Sequence, residues 1–285
     1  MMNTFNTKRF GLLLRKDFLE NGKRYLLQFL TMFGIITVVF LLGPFDNFYE
    51  LSISHSFDEG DYEFLVKNVL TTVIFLFLIF GTLFAATMME PMRDKTKRIM
   101  YLANPSSNFE KVLSRWLIVT IGYVVAFFVA FWLADAIRVT IFSIRYPELD
   151  IRFLDFGQLF PTEGIYDYKY VLPDRKAFIA CLMFFSLMQS LFMLGSTFWP
   201  KGTFIKTFSA MVLVVVLFLL LCSWAIWIGN ESGDQFSRAM ESSGIDDIPK
   251  ELRFPVIAGI FGSFTVVNWT LAFFRFRESE IIKRL

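Results

Sequence analysis

Hydrophobic residues in this chain come in uninterrupted blocks of about twenty, the length an α-helix needs to cross a bilayer core of roughly 30 Å. The pattern predicts six such spans, near Tyr25–Leu42, Val69–Met89, Trp116–Ile137, Ala177–Trp199, Thr207–Gly229 and Phe254–Phe274. Trp116, Trp199, Trp224 and Trp227 fall near span ends, where indole favours the headgroup level. Pro255 is expected in the first turn of the last span, the position a helix tolerates. The expected fold is all-α: a single polytopic transmembrane domain over residues 1–285.

The polar stretches between the blocks are not alike. Residues before Tyr25 form a basic lead-in with Lys8, Arg9, Arg15, Lys16, Lys23 and Arg24. Within it Phe10, Leu13, Leu14 and Phe18 recur at helical spacing, with Arg15, Lys16 and Asp17 mostly on another face. This predicts an N-terminal amphipathic helix lying in the membrane interface. The run is followed by no small-x-small cleavage site, so the first span is expected to stay as an anchor.

The stretch between the second and third spans, residues 90–115, is far longer than the two to eight or so residues a helix connection requires. It opens at Glu90-Pro91, carries Met92, Arg93, Asp94, Lys95, Lys97 and Arg98, and then an apolar patch of Ile99, Met100, Tyr101 and Leu102. A turn follows at Asn104-Pro105, then Ser107-Asn108-Phe109-Glu110 at capping-box spacing. The box should start a helix that runs on into the third span. A bridge with this much helix punctuation is built to dock something.

Composition agrees with the pattern: the 285 residues are 55% hydrophobic, 19% charged and include 37 Phe. Cys181 and Cys222 lie inside apolar blocks as small hydrophobes, and His55 is the single histidine, so no metal spacing exists. Counting cations over the short loops places both termini and the 90–115 bridge in the cytoplasm. Acids instead fill the first outer loop, from Asp46 and Glu50 to Asp58, Glu59, Asp61 and Glu63. The second outer loop, Arg138–Lys176, is rich in aromatics such as Phe153, Phe156, Phe160, Tyr166 and Tyr168, and could lie partly on the outer surface. The third holds an expected short helix at Asp234–Ser242.

Candidate chemistry is sparse. Asp135, near the outer end of the third span, has Arg138 one helical turn on, which reads as a local pair. The sequence holds no G-x-x-x-x-G-K-[ST] phosphate loop, no nucleophile elbow and no metalloprotease motif, so neither enzyme activity nor a cofactor is expected. No nucleic-acid partner is expected either. Gln189, Ser190 and Asn268 lie toward the middle of their spans; they read first as interhelical glue and second as substrate-pathway residues.

The bridge resembles the ABC-2 family of ABC-transporter permeases. Glu90, Arg93, Thr96, Leu102, Pro105, Ser106 and Lys111 stand in the family's order, while Lys95 replaces its common Gly. The basic tail from Arg275 to Glu280 is also similar. The resemblance implies six spans with cytoplasmic termini and a coupling helix at Pro91–Ala103 pressed into a separate cytoplasmic ATPase subunit. It further implies pairing with itself or a similar permease, in a bacterial cytoplasmic membrane. The contact set expected from it is Glu90, Met92, Arg93, Lys97, Arg98, Met100, Leu102, Pro105, Ser107 and Glu110. The function expected is that of an exporter's permease subunit. The alternative is a membrane scaffold or sensor that recruits a cytoplasmic partner without transport.

Overall fold

The computed structural model describes residues 5–43, 59–147, 151–159, 170–231 and 250–281. The acidic stretch 46–58, the Phe160–Tyr168 part of the second outer loop and the helix expected at Asp234–Ser242 lie outside these residues. Among the described residues there is helix and no strand, and six helices are long and apolar enough to cross a membrane. The chain reads as an integral membrane protein.

The first helix, α1 (Thr7–Leu42), carries lead-in and first span as one unbroken helix of 36 residues. At about 1.5 Å per residue this is roughly 54 Å, well beyond the bilayer core. The lead-in, expected as a separate interfacial helix, therefore continues the first span with no break. Next come α2 (Glu59–Ala85), a 3₁₀ turn at Glu90–Met92 and the short α3 (Lys95–Leu102). The helix α4 (Asn108–Leu117) widens to a π-turn over Ile118–Gly122 and runs on as α5 (Tyr123–Arg145). The remainder is α6 (Arg175–Phe198), α7 (Thr203–Glu231) and α8 (Lys250–Ile281). Because α8 begins four residues before the apolar run, Pro255 sits in its second turn, not its first. There its ring forgoes one backbone hydrogen bond.

Packing joins two pairs. The helix α1 lies along α5 and α8 lies along α6, while α6 also touches α2 and α7. Toward one end the core is aromatic and aliphatic, with Ile36, Phe40, Leu70, Phe127 and Phe131 buried together. Tyr123 is fully buried within it, its hydroxyl donating to the Phe77 carbonyl at 2.5 Å. At the bridge end a second core gathers Met88, Met89, Met92, Val119, Met193 and Phe276.

Helix crossings are close where a residue is small. A Cβ built on Gly195 would meet Thr207 Oγ1 at 2.0 Å, so α6 and α7 approach through a glycine. Beyond that contact α7 leaves the bundle, and every residue from Val212 to Leu221 is exposed. At the other end of α5, Asp135 and Arg138 form the expected pair at 2.7 Å, both buried. They also fasten the chain after the span: Asp135 Oδ2 accepts from the Leu154 amide, and Arg138 donates to the Arg152 carbonyl. Phe156 then packs on Phe131 and Trp132, so the described part of the segment between α5 and α6 caps the core.

Candidate functional site

The bridge is a folded unit held on its inner side by the residues around it. The Glu90–Met92 turn has Pro91 in its first turn, where a missing N–H costs nothing. Asp94 is extended and precedes α3, although its side chain makes no capping bond. The other end of α3 is closed from outside: Lys111 Nζ donates to the Leu102 carbonyl at 3.1 Å, and the Tyr101 hydroxyl donates to the Lys111 carbonyl at 3.0 Å. A buried ammonium on the last carbonyls of a helix answers both the orphan acceptors and the negative end of its dipole.

Both bonds of the expected capping box form. Ser107 Oγ accepts from the Glu110 amide at 3.2 Å, and Glu110 Oε2 accepts from the Ser107 amide at 2.9 Å. Glu110 does more than close its own helix. Arg9 of the lead-in reaches it with both Nε (2.8 Å, to Oε2) and an Nη (2.7 Å, to Oε1), and the Asn6 amide donates to Oε1 at 2.8 Å. The Arg9 hydrogen bonds, more than burial opposes them, hold the Glu110 carboxyl well below the usual carboxylate range, at about 2, and the Asn6 and Ser107 amides add to this. Asn6 is itself the cap of α1, accepting from the Lys8 and Arg9 amides. One buried carboxylate thus ties the start of α1 to the start of α4.

A second tie lies further along. Arg115 on α4 pairs with Asp17 on α1 at 2.7 Å, and both are almost fully buried. Arg115 also donates to the Tyr25 hydroxyl at 3.2 Å and lies over the Tyr101 ring. Asp17 takes further bonds from Asn21 Nδ2 (2.9 Å) and from the Tyr25 hydroxyl (3.3 Å). Burial pushes the Asp17 carboxyl above its ordinary range, and Arg115 opposes that rise. Here the sequence expectation is corrected. Asp17 does not share the outward face of Arg15 and Lys16; it stands four residues after buried Leu13 and points inward with it. Arg24 makes a third tie, an ion pair with Glu90.

The expected contact residues therefore separate into two groups. Arg93, Lys97, Met100 and Pro105 are exposed, as is Ile99 beside them. Arg98 is half-buried. Met92 is only 7% exposed and belongs to the second core, so it does not face outward as a groove-filling residue would. Glu90, Leu102, Ser107 and Glu110 are likewise engaged internally, in the ion pair, the core and the capping box. The outer face of α3 is short, cationic and apolar. Beside it a cavity of about 360 Å³ opens between α1 and the bridge, lined by Lys16, Asp17, Glu20, Lys97, Met100 and Tyr101 among others.

Gln189, Ser190 and Asn268 come together in the bundle, all buried. Asn268 Nδ2 donates to Ser190 Oγ at 3.0 Å, linking α8 to α6. Gln189 Nε2 donates to the Val119 carbonyl at 3.2 Å, inside the π-turn, where the widened backbone admits a side-chain partner. These are cross-helix bonds, the first of the two roles expected for them.

Sequence reasoning missed Arg9, Asp17, Arg24, Tyr25 and Arg115 as parts of this site. The cations read as topology signals, and nothing local marks their partners, since Arg9 and Glu110 stand 101 residues apart. One faint signal existed: Asp17 is an acid spaced i, i+4 from Leu13 in a basic lead-in.

No protein family, characterised protein or solved structure matches the chain. The functional reading therefore rests on the geometry and on the resemblance of the bridge.

Proposed function

We propose that the chain is the permease subunit of an ABC-2 type transporter, an exporter in which ATP hydrolysis on a separate subunit drives substrate across a bacterial cytoplasmic membrane. The single observation behind this reading is the folded bridge. Its outer face, Arg93, Lys97, Ile99 and Met100, is exposed, while its inner face is tied to α1 and α4 by Arg24–Glu90, Asp17–Arg115 and Arg9–Glu110. A bridge that only turned the chain needs none of these. One that receives a push needs all of them, because α4 runs on into α5 and a load on α3 reaches both spans together.

In this reading both termini and the bridge face the cytoplasm, residues 7–24 carry α1 past the membrane surface toward the bridge, and no catalysis occurs on the chain. The exposed cations steer an acidic partner surface into register, and Ile99 and Met100 supply the apolar anchor. A second copy, or a similar permease, completes the pathway. The middle of α7 supports that, since Val212 to Leu221 are exposed among the described residues.

The test is a double charge reversal, Arg93→Glu with Lys97→Glu. Both residues are exposed, so the fold should survive with a stability change within about 0.5 kcal/mol. Capture of the ATPase and stimulation of its activity in lipid should both fall at least tenfold or so, the loss expected of about two interfacial charges. Survival of both would refute the docking claim. Capture of a partner without ATPase activity would favour the scaffold reading instead.

A further inference from the structure

Near the bridge a second and larger cleft of about 550 Å³ opens between α1, the end of α2 and the turn that leads into α7. Its walls change character along their length. Along the expected spans the cleft is lined by Leu27 of α1 and by Phe80, Leu83 and Phe84 of α2, all apolar. At the mouth stand Arg24, Arg93 and Glu90. This border carries two guanidinium groups and one carboxylate, and the carboxylate pairs with Arg24. The Arg93 guanidinium has no partner among the described residues. Burial depresses the Arg24 guanidinium; Arg115 and Arg93 add to that depression, while Tyr25 and Asp17 oppose it.

The third wall adds to the same sign. Gly202, at φ +69°, turns the chain sharply into α7, so that Thr203, Phe204 and Ile205 border the cleft. Amides in the first turn of a helix have no partner within it and carry the positive end of its dipole. A polar, cation-rich mouth over an apolar trough at the end of membrane spans fits one class of molecule: a phosphate ester carrying acyl chains.

We infer that this cleft binds one anionic phospholipid, with its phosphate between Arg93 and the first turn of α7 and an acyl chain along Leu27, Leu83 and Phe84. A zwitterionic lipid has the same chains and phosphate but brings its own cation to a mouth already in positive excess. A free phosphate lacks the chains that the trough would bury at about 0.8 kcal/mol per methylene. The inference needs the membrane reading but no ATPase partner; Arg93 serves both readings, so the lipid preference and Leu83→Trp, which leave the docking face untouched, separate the failure of one from the failure of the other.

The full chain, purified in a neutral detergent, is given phosphatidylglycerol, phosphatidylcholine or glycerol 3-phosphate, and retained molecules are counted by native mass spectrometry. Phosphatidylglycerol should be retained at one per chain in preference to phosphatidylcholine, and millimolar glycerol 3-phosphate should not displace it. Arg93→Gln should weaken retention about fivefold, the equivalent of one cation at a membrane surface, while Arg93→Lys should keep it. Leu83→Trp, which fills the trough at a partly exposed position, should weaken retention with the charges untouched. Equal retention of the two lipids would overturn the inference, as would displacement by glycerol 3-phosphate. So would full retention in Leu83→Trp, which would put the lipid outside the cleft. Should Arg93→Gln fail to fold, the Leu83→Trp result and the lipid preference decide.

Discussion

Arg115→Leu removes the cation that holds α1 against the bridge, and its cost follows from what is left behind. Arg115 is 5% and Asp17 8% exposed, so the pair lies out of water. After the substitution the Asp17 carboxylate keeps only neutral donors, Asn21 Nδ2 and the more distant Tyr25 hydroxyl. Breaking a buried ion pair from one side costs about 3–5 kcal/mol, and the two remaining donors place this case near 3 kcal/mol. A pH signature distinguishes this mechanism from lost packing. Burial already raises the Asp17 carboxyl and Arg115 restrains it, so without Arg115 it rises further. A carboxyl with a raised folded pKa binds its proton more tightly in the fold than in the unfolded chain. Stability then falls as pH rises from the ordinary value, about 3.9, through the raised one. The Arg115→Leu deficit should therefore be largest near pH 7 and shrink as the solution is made acidic. Asp17→Asn placed on top of Arg115→Leu should restore most of the loss at neutral pH. Unfolding in mixed micelles, followed by tryptophan fluorescence at several pH values, gives all of these numbers. A deficit below ~1 kcal/mol, the range of an exposed pair, or one that does not change with pH, would refute the reasoning.

Two further outcomes follow from the packing and from the clamp at the start of α1. Gly195→Ala drives a methyl to within 2.0 Å of Thr207 Oγ1, which should cost about 1–3 kcal/mol of overpacking; Thr207→Ala in the same chain should recover part of it, and an additive double variant in the same unfolding assay would contradict the close crossing. The Glu110 carboxyl, held at about 2, contributes stability that is fully present above its ordinary value of roughly 4.3 and is lost progressively as pH falls from there through about 2. Spin labels at exposed Lys8 and Pro105 should accordingly keep one distance from neutral pH down to about pH 5, with the distance broadening at neutral pH in Glu110→Gln; broadening of the unsubstituted chain over that range would refute the clamp.

Much of the fold was legible in the sequence because its signals are local. An apolar block of about twenty residues has one stable disposition, a helix with every backbone group bonded within itself. Ser107 and Glu110 are three residues apart, so their mutual bonds need nothing beyond the helix they begin. Asp135 and Arg138 were legible for the same reason. The amphipathic lead-in was legible as helix but not as a continuation of the first span, since no Gly or Pro pattern distinguishes a bend from an extension there. Pro255 misled in the opposite direction: α8 begins at Lys250, four residues before its apolar run, and the proline falls in the second turn.

What the amino-acid order determined, then, was the six spans, the capped helix after the bridge and the sign of charge at each loop. What only the folded chain decided was which of those charges are structural. Arg9, Arg24 and Arg115 sit among cations of identical appearance, and each is set apart by a carboxylate brought alongside it when α1 packs against the bridge. The buried bond from Gln189 to the Val119 carbonyl has the same origin, a widened turn on one helix meeting an amide on another. Periodicity along a chain reports the surroundings a helix face requires, but the identity of a partner 100 residues away is written in the packing that joins them.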